Sequence, residues 1–131
     1  MIMALPSVIE GYVHADVRGT LRFCNGFDLS AVKRFYTIAN SAGQSVRGWI
    51  GHKKETKWFF PLKGTTVIVV EPMDDSRARS TRFILAAESP AVLNVPCNHW
   101  FYIEQHEGAE VMVFSDCKVG EYKNDDFRRQ L

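Results

Sequence analysis

Long apolar runs are missing from this chain: the longest uninterrupted stretches reach four to five residues, far short of the ~20 that a membrane-spanning helix requires. The first residues lack a charged region followed by an apolar core, so no secretory leader is expected and the protein reads as cytoplasmic, with no membrane partner. Charge of one sign is missing too. Sixteen basic and fifteen acidic side chains leave a net charge of +1, so no global field draws in nucleic acid or an anionic membrane, and an anionic ligand must be held by a local cluster. Cysteine is scarce and irregular: Cys24, Cys97 and Cys117 are an odd number without C-x-x-C spacing, which excludes a disulfide framework and a zinc ribbon and leaves reduced, buried thiols. Internal repeats, low-complexity tracts and any sustained helical period are also absent.

What is present is a series of short segments rich in Val, Phe, Ile and Tyr: LRFC, VKRFYTIA, KWFFPL, TTVIVVEP, TRFIL, AVLNVP, WFYIEQ and EVMVFSD. Gly, Asn, Asp, Pro or Ser separates them. Many short strands with turn signals between them predict an all-β barrel or sandwich, built as one domain over residues 1–131. SAGQS (41–45) and MDDSRARS (73–80) read as polar connections, and LKGTT (62–66) as a tight turn. The charged end, 120–131, reads as a helical turn or a loosely attached tail.

The stretch RGWIGHKKETKWFFPLKG, Arg47 to Gly64, carries the chemistry. It resembles the metal-binding signature of cupin barrels, in which two histidines and a carboxylate converge on one divalent ion. Counted back from Gly64, Lys57 stands at the carboxylate position, His52 at the second histidine and Ile50 at the first. A cation in place of a carboxylate repels a divalent ion and one imidazole cannot hold it alone, so neither metal nor any other cofactor is expected. A second stretch, VPCNHWFY, adds His99 after Pro96 without completing a three-ligand set. Such a pocket suits an anionic or enolate-forming organic molecule.

Taken in order, HADVRGTLRF, VKRFYTIAN, RGWIGHKKETKWFFPLKG, VLNVPCNHW and VMVFSD resemble segments of the small RmlC-like cupins that act on dTDP-4-keto-6-deoxyhexoses, the 3,4-ketoisomerases (the WxcM-like family). They are similar, more distantly, to the 3,5-epimerases. The resemblance implies a single jelly-roll barrel, a homodimer formed by exchanged N-terminal strands, a nucleotide-sugar ligand and a metal-independent proton shuttle through an enediolate. Arg47, Gly48, His52 and Lys53 match the ketoisomerase motif, whose first histidine is Ile50 here. Lys57 resembles the epimerase lysine that holds the enolate oxygen.

On this reading His52 is the proton carrier, since a neutral imidazole both takes and returns a proton near neutral pH. Lys57 stabilises the developing oxygen, and Tyr36 is a proton donor or a packing residue on the same strand face as Arg34. Arg34 and Arg47 fork onto phosphate or the sugar ketone. Arg18 matches a first-strand arginine near the nucleotide, or forms a structural pair with Asp16. His99 and Trp100 fall where the resemblance implies a pocket lining, with Trp100 stacking on thymine or sugar. Trp49, Trp58, Phe59 and Phe60 are assigned to the core or the dimer interface. The alternative to an enzyme is a nucleotide-sugar-binding cupin that lost its catalyst with the histidine at position 50.

Overall fold

Alternation sets the architecture. In the segment from Arg34 to Ala39, Arg34, Tyr36 and Ile38 are half-buried whereas Phe35, Thr37 and Ala39 are exposed, the two-residue period of a strand with one face inward. The same period runs through His99–Gln105, where every odd residue is buried. A computed structural model describes residues 4–73 and 80–131. Its strands are β1 (Ser7–Glu10), β2 (Tyr12–Asp16), β3 (Gly19–Phe23), β4 (Arg34–Ala39), β5 (Ser45–His52), β6 (Lys57–Lys63), β7 (Thr65–Pro72), β8 (Thr81–Ala86), β9 (Ala91–Val95), β10 (His99–Gln105), β11 (Glu110–Ser115) and β12 (Phe127–Arg128). No helix occurs among the described residues, as the all-β expectation required.

Two five-stranded antiparallel sheets, ordered β1-β9-β6-β11-β4 and β12-β5-β10-β7-β8, form a jelly-roll sandwich, and β2 pairs with β3 in a separate hairpin. Phe59, Ile68, Val70, Leu93, Phe101, Val111 and Val113 meet between the sheets as a core that excludes water. Burying side chains of this size contributes about 1.5–3 kcal/mol apiece. The chain passes from β6 to β7, and so from one sheet to the other, through Gly64 at φ 61°, a left-handed conformation that favours glycine. This is the turn expected at 62–66, and residues 41–44 form the expected connection before β5. Of the connection expected at 73–80, residues 74–79 lie outside the described residues.

One irregularity aims the site. On β10, Phe101 faces Ile50 and Ile103 faces Arg47, so three steps along β5 match two along β10. The extra residue is a bulge at Gly48–Trp49. Without it Arg47 and Ile50 would lie on opposite faces; with it both line the inner cavity. Gly48 has φ 123°, and a Cβ there would come within 2.8 Å of the Phe101 carbonyl oxygen and the Tyr102 Cα, so this position requires glycine.

The C-terminal segment corrects the expectation of a loose tail. β12 pairs with β5, placing Phe127 opposite Gly51 and Arg128 opposite Ile50. Arg129 and Trp49 exchange backbone hydrogen bonds in both directions. The Arg129 guanidinium lies 4.4 Å from the Trp49 ring and 4.8 Å from the Trp100 ring and pairs with Glu71 at 2.9 Å. Stacking between two indoles anchors the segment on the outer face of the second sheet.

Candidate active site

Between the sheets, at the end where β5 passes into β6, a cavity of about 950 Å³ is walled by β4, β5, β6, β10 and the C-terminal segment. Its buried end is polar: His52, Glu55 and Lys57 are each no more than 8% exposed. Strand alternation directs Arg34 and Tyr36 inward from β4 and Lys57 inward from β6.

His52 is held by one atom. Its Nδ1 lies 2.6 Å from the Asp125 carbonyl oxygen, and because a carbonyl only accepts, Nδ1 carries the proton. Nε2 is then the lone-pair nitrogen, and it has no hydrogen-bond partner among the described residues. The Asp125 carboxylate acts on the backbone instead, accepting the N–H groups of Lys53, Lys54 and Glu55 at 2.7–3.1 Å. A single buried aspartate therefore shapes the turn after β5 and sets the tautomer of the histidine at its start.

That turn delivers Glu55. Its Oε1 lies 3.7 Å from His52 Nδ1, and its Oε2 accepts a hydrogen bond from the Ser115 hydroxyl with Arg34 Nη2 and Lys57 Nζ 3.7 and 3.9 Å away. Lys57 donates to the Tyr36 hydroxyl at 3.0 Å. Arg34 stacks 5.0 Å over the Tyr36 ring and donates from Nε to the Cys117 carbonyl at 3.1 Å. At the edge of the cavity Asp126 pairs with Arg128 at 2.9 and 3.0 Å, which holds the Asp126 carboxyl below its usual range.

His52, Glu55 and Asp125 each offer a donor atom within 4.8 Å of the others, and their fit to a metal can be tested on bonding. The Asp125 oxygens are committed to three backbone donors, Glu55 Oε2 serves Ser115, and His52 Nδ1 is protonated toward a carbonyl. An ion there would break these bonds and sit beside two cations. The donor set does not suit a divalent metal.

The structure thus gathers His52, Lys57, Tyr36, Arg34 and Arg47 around one cavity, and three expected residues fall elsewhere. Trp100 points the other way, because β10 alternates and His99, Phe101 and Ile103 take the inner face; it packs with Trp49 and Tyr102 outside the sheet. Trp49 meets Tyr102 edge-on at 4.8 Å, Trp58 packs on Phe27 on the outer face of the first sheet, and Phe59 is core. His99 is 2% exposed, stands beside His52 in the ladder and faces the Pro96 and Cys97 carbonyls through Nδ1; it is not among the residues that line the cavity. Arg18 sits at the exposed turn between β2 and β3, with its guanidinium on Asp16 at 2.7 Å, outside the cavity of its own chain. Sequence reasoning missed Glu55 and Asp125, and also Tyr122, Asp126 and Arg128 on the cavity wall. The spacing of HKKETK, with a carboxylate two residues before Lys57, held a signal for Glu55. Nothing in NDDFRR marked Asp125.

Solved structures with this fold include QdtA, a sugar 3,4-ketoisomerase from Thermoanaerobacterium thermosaccharolyticum in complex with TDP, at TM-score 0.73 and 22% identity over 95% of this chain and 88% of that one. A 3,4-ketoisomerase from Helicobacter canadensis aligns at TM-score 0.73 and 22% identity, covering 95% and 90%. The RmlC epimerase of Mycobacterium tuberculosis aligns at TM-score 0.75 and 16% identity, covering 94% and 68%. Comparison with curated protein sequences gives no significant match. The likeness in fold is that of RmlC-like cupins. The family described as FdtA: WxcM-like, C-terminal matches residues 2–131, and the chain belongs to that family.

Proposed function

We propose that this protein is a metal-independent isomerase or epimerase of a nucleotide-linked 4-keto-6-deoxyhexose, acting by 3,4-ketoisomerase-like proton shuttling in deoxysugar and polysaccharide biosynthesis. The observation that carries this reading is His52: buried, protonated on Nδ1 toward a carbonyl, left with a lone pair on Nε2, and lining the same cavity as the Lys57–Tyr36 pair. Family membership and the nucleotide sugars and TDP bound by structures of the same fold support the substrate class.

In this mechanism Nε2 takes the proton from the carbon beside the ketone. The C–H electron pair becomes the ring C=C bond as the ketone π pair moves onto oxygen. Lys57, with Tyr36 bonded to it, holds that oxygen in a site of low dielectric. Tyr36 relays the proton of the neighbouring hydroxyl between the two oxygens, and the imidazolium returns its proton to the carbon that bore the ketone. Arg34 and Arg47 bind oxygens of the ligand.

The protein acts as a homodimer in this proposal. All five residues of β2 are exposed, Tyr12, Val13 and Leu21 among the apolar ones of the hairpin, and an isolated two-stranded hairpin is marginal in water. Docking of this hairpin on a second copy would cover it and bring Arg18 to the partner's cavity. The cytoplasmic assignment goes with the same reading, since three free thiols suit a reducing compartment.

Proton NMR of dTDP-4-keto-6-deoxyglucose with the protein in D2O tests the proposal. Deuterium at C3 of the recovered 4-keto sugar and at C4 of a new 3-keto product is expected, and exchange at both C3 and C5 would make the protein an epimerase. Ile50 lines the cavity in place of a second proton carrier, which favours one other reading. A bound nucleotide without any exchange would establish the non-catalytic nucleotide-sugar-binding cupin instead.

A further inference from the structure

The cations around the cavity are of two kinds. At the buried end, Arg34 and Lys57 share one carboxylate oxygen of Glu55 at 3.7 and 3.9 Å. Arg47 lies on the exposed half of β5, and among the described residues it has no acidic partner within ion-pair distance. Five steps of strand separate it from His52, a span of about 16 Å. The floor therefore carries two cations faced by two carboxylates, Glu55 beside both of them and Asp125 next to it, and the mouth carries an unopposed guanidinium.

Charge is costly in a buried site unless it is balanced, and the two possible occupants of the floor differ in this respect. A diphosphate brings charge that nothing there offsets, and it meets Glu55 as a like charge. An enolate forms together with an imidazolium, so proton transfer from the sugar to His52 leaves the net charge of the floor unchanged. Glu55 Oε1 lies 3.7 Å from that imidazole. From β4 come Arg34 and Tyr36, from β6 Lys57 and from the C-terminal segment Asp125 and Asp126, but Glu55 is the acid that touches both sides of this exchange.

We propose that Glu55 is a specificity-determining residue: by occupying Arg34 and Lys57 it withholds the floor from phosphate, leaving that end to the keto sugar and directing the diphosphate to Arg47. This rests on the nucleotide-sugar reading of the pocket and extends it to how the ligand is oriented.

Titration calorimetry with inorganic pyrophosphate and with TDP tests it. Glu55→Gln keeps the shape and removes the charge. The variant should bind pyrophosphate at least about tenfold more tightly than the wild type, and Glu55→Gln/Arg34→Gln should lose most of that gain. Equal pyrophosphate affinities in the single variant and the wild type would overturn the inference, as would a gain that survives in the double variant. Should Glu55→Gln not fold, Arg47→Gln decides: TDP affinity should fall about tenfold, and an unchanged affinity would refute the assignment of the diphosphate to the mouth. The activity itself fails differently. A keto sugar that shows no exchange, with the pyrophosphate gain present, would end the isomerase reading and leave the role of Glu55 intact.

Discussion

His52 depends on an atom that no side-chain substitution removes, the main-chain oxygen of Asp125. Replacing His52 itself by Asn should lower deuterium exchange at least about 100-fold, the usual scale of general base catalysis, while TDP affinity stays near that of the wild type; exchange kept within threefold would show another base at work. Asp125→Ala tests the other half of the arrangement. It leaves the N–H groups of Lys53, Lys54 and Glu55 without their acceptor in a buried turn. Denaturant unfolding should report a loss of about 3 kcal/mol, accompanied by slower exchange because Glu55 and His52 lose their placement. A variant as stable as the wild type would mean that water replaces the carboxylate. At this scale the sequence was informative where residue type and spacing coincide. Arg34 and Tyr36 share a face by the two-residue period, and His52 and Lys57 stand at motif positions. Glu55 and Asp125 escaped because their roles depend on which backbone groups a turn presents, and no local pattern encodes that.

Among the elements, the C-terminal segment departs furthest from expectation. Residues 120–131 have little apolar content, and such a composition reads as a tail. The segment is held instead by contacts distant in sequence: Arg129 between Trp49 and Trp100, Phe127 and Arg128 along β5, and Glu121 with Lys33 at 3.0 Å. Arg129→Ala should raise hydrogen exchange across 125–129 and reduce turnover, because the same segment supplies the carbonyl that orients His52; turnover at the wild-type level would separate the clamp from the site. Acid should loosen the segment as well. Bonding to the Lys118 backbone N–H and to Lys33 lowers the Glu121 carboxyl, and Arg128 lowers that of Asp126. A carboxyl lowered on folding contributes stability above its unfolded value, lost as pH falls through the folded one. Amide exchange in 120–128 should therefore rise below about pH 4, and a flat profile down to about pH 3 would show that these pairs contribute nothing.

For the whole molecule, the open question is what covers the hairpin formed by β2 and β3. Val17 is fully exposed at its tip and Leu21 is 63% exposed, beside the Asp16–Arg18 pair. Light scattering should give twice the 14.9 kDa chain mass. Deleting residues 12–23 should give monomers with weaker TDP binding. A full-length monomer in solution would remove Arg18 from the ligand and leave the cavity to residues of one chain.

The sequence alone determined the strand-rich class, the shared face of Arg34 and Tyr36 on β4, and the grouping of Arg47, His52 and Lys57 on one motif, because the two-residue period and glycine-marked turns act over a few residues. Tertiary structure decided the rest. The bulge at Gly48 turned Arg47 and Ile50 to the same face, alternation along β10 sent Trp100 outward, and sheet closure brought Asp125 against a turn 70 residues earlier. These outcomes depend on which strands become neighbours, a choice made by burial of the whole core.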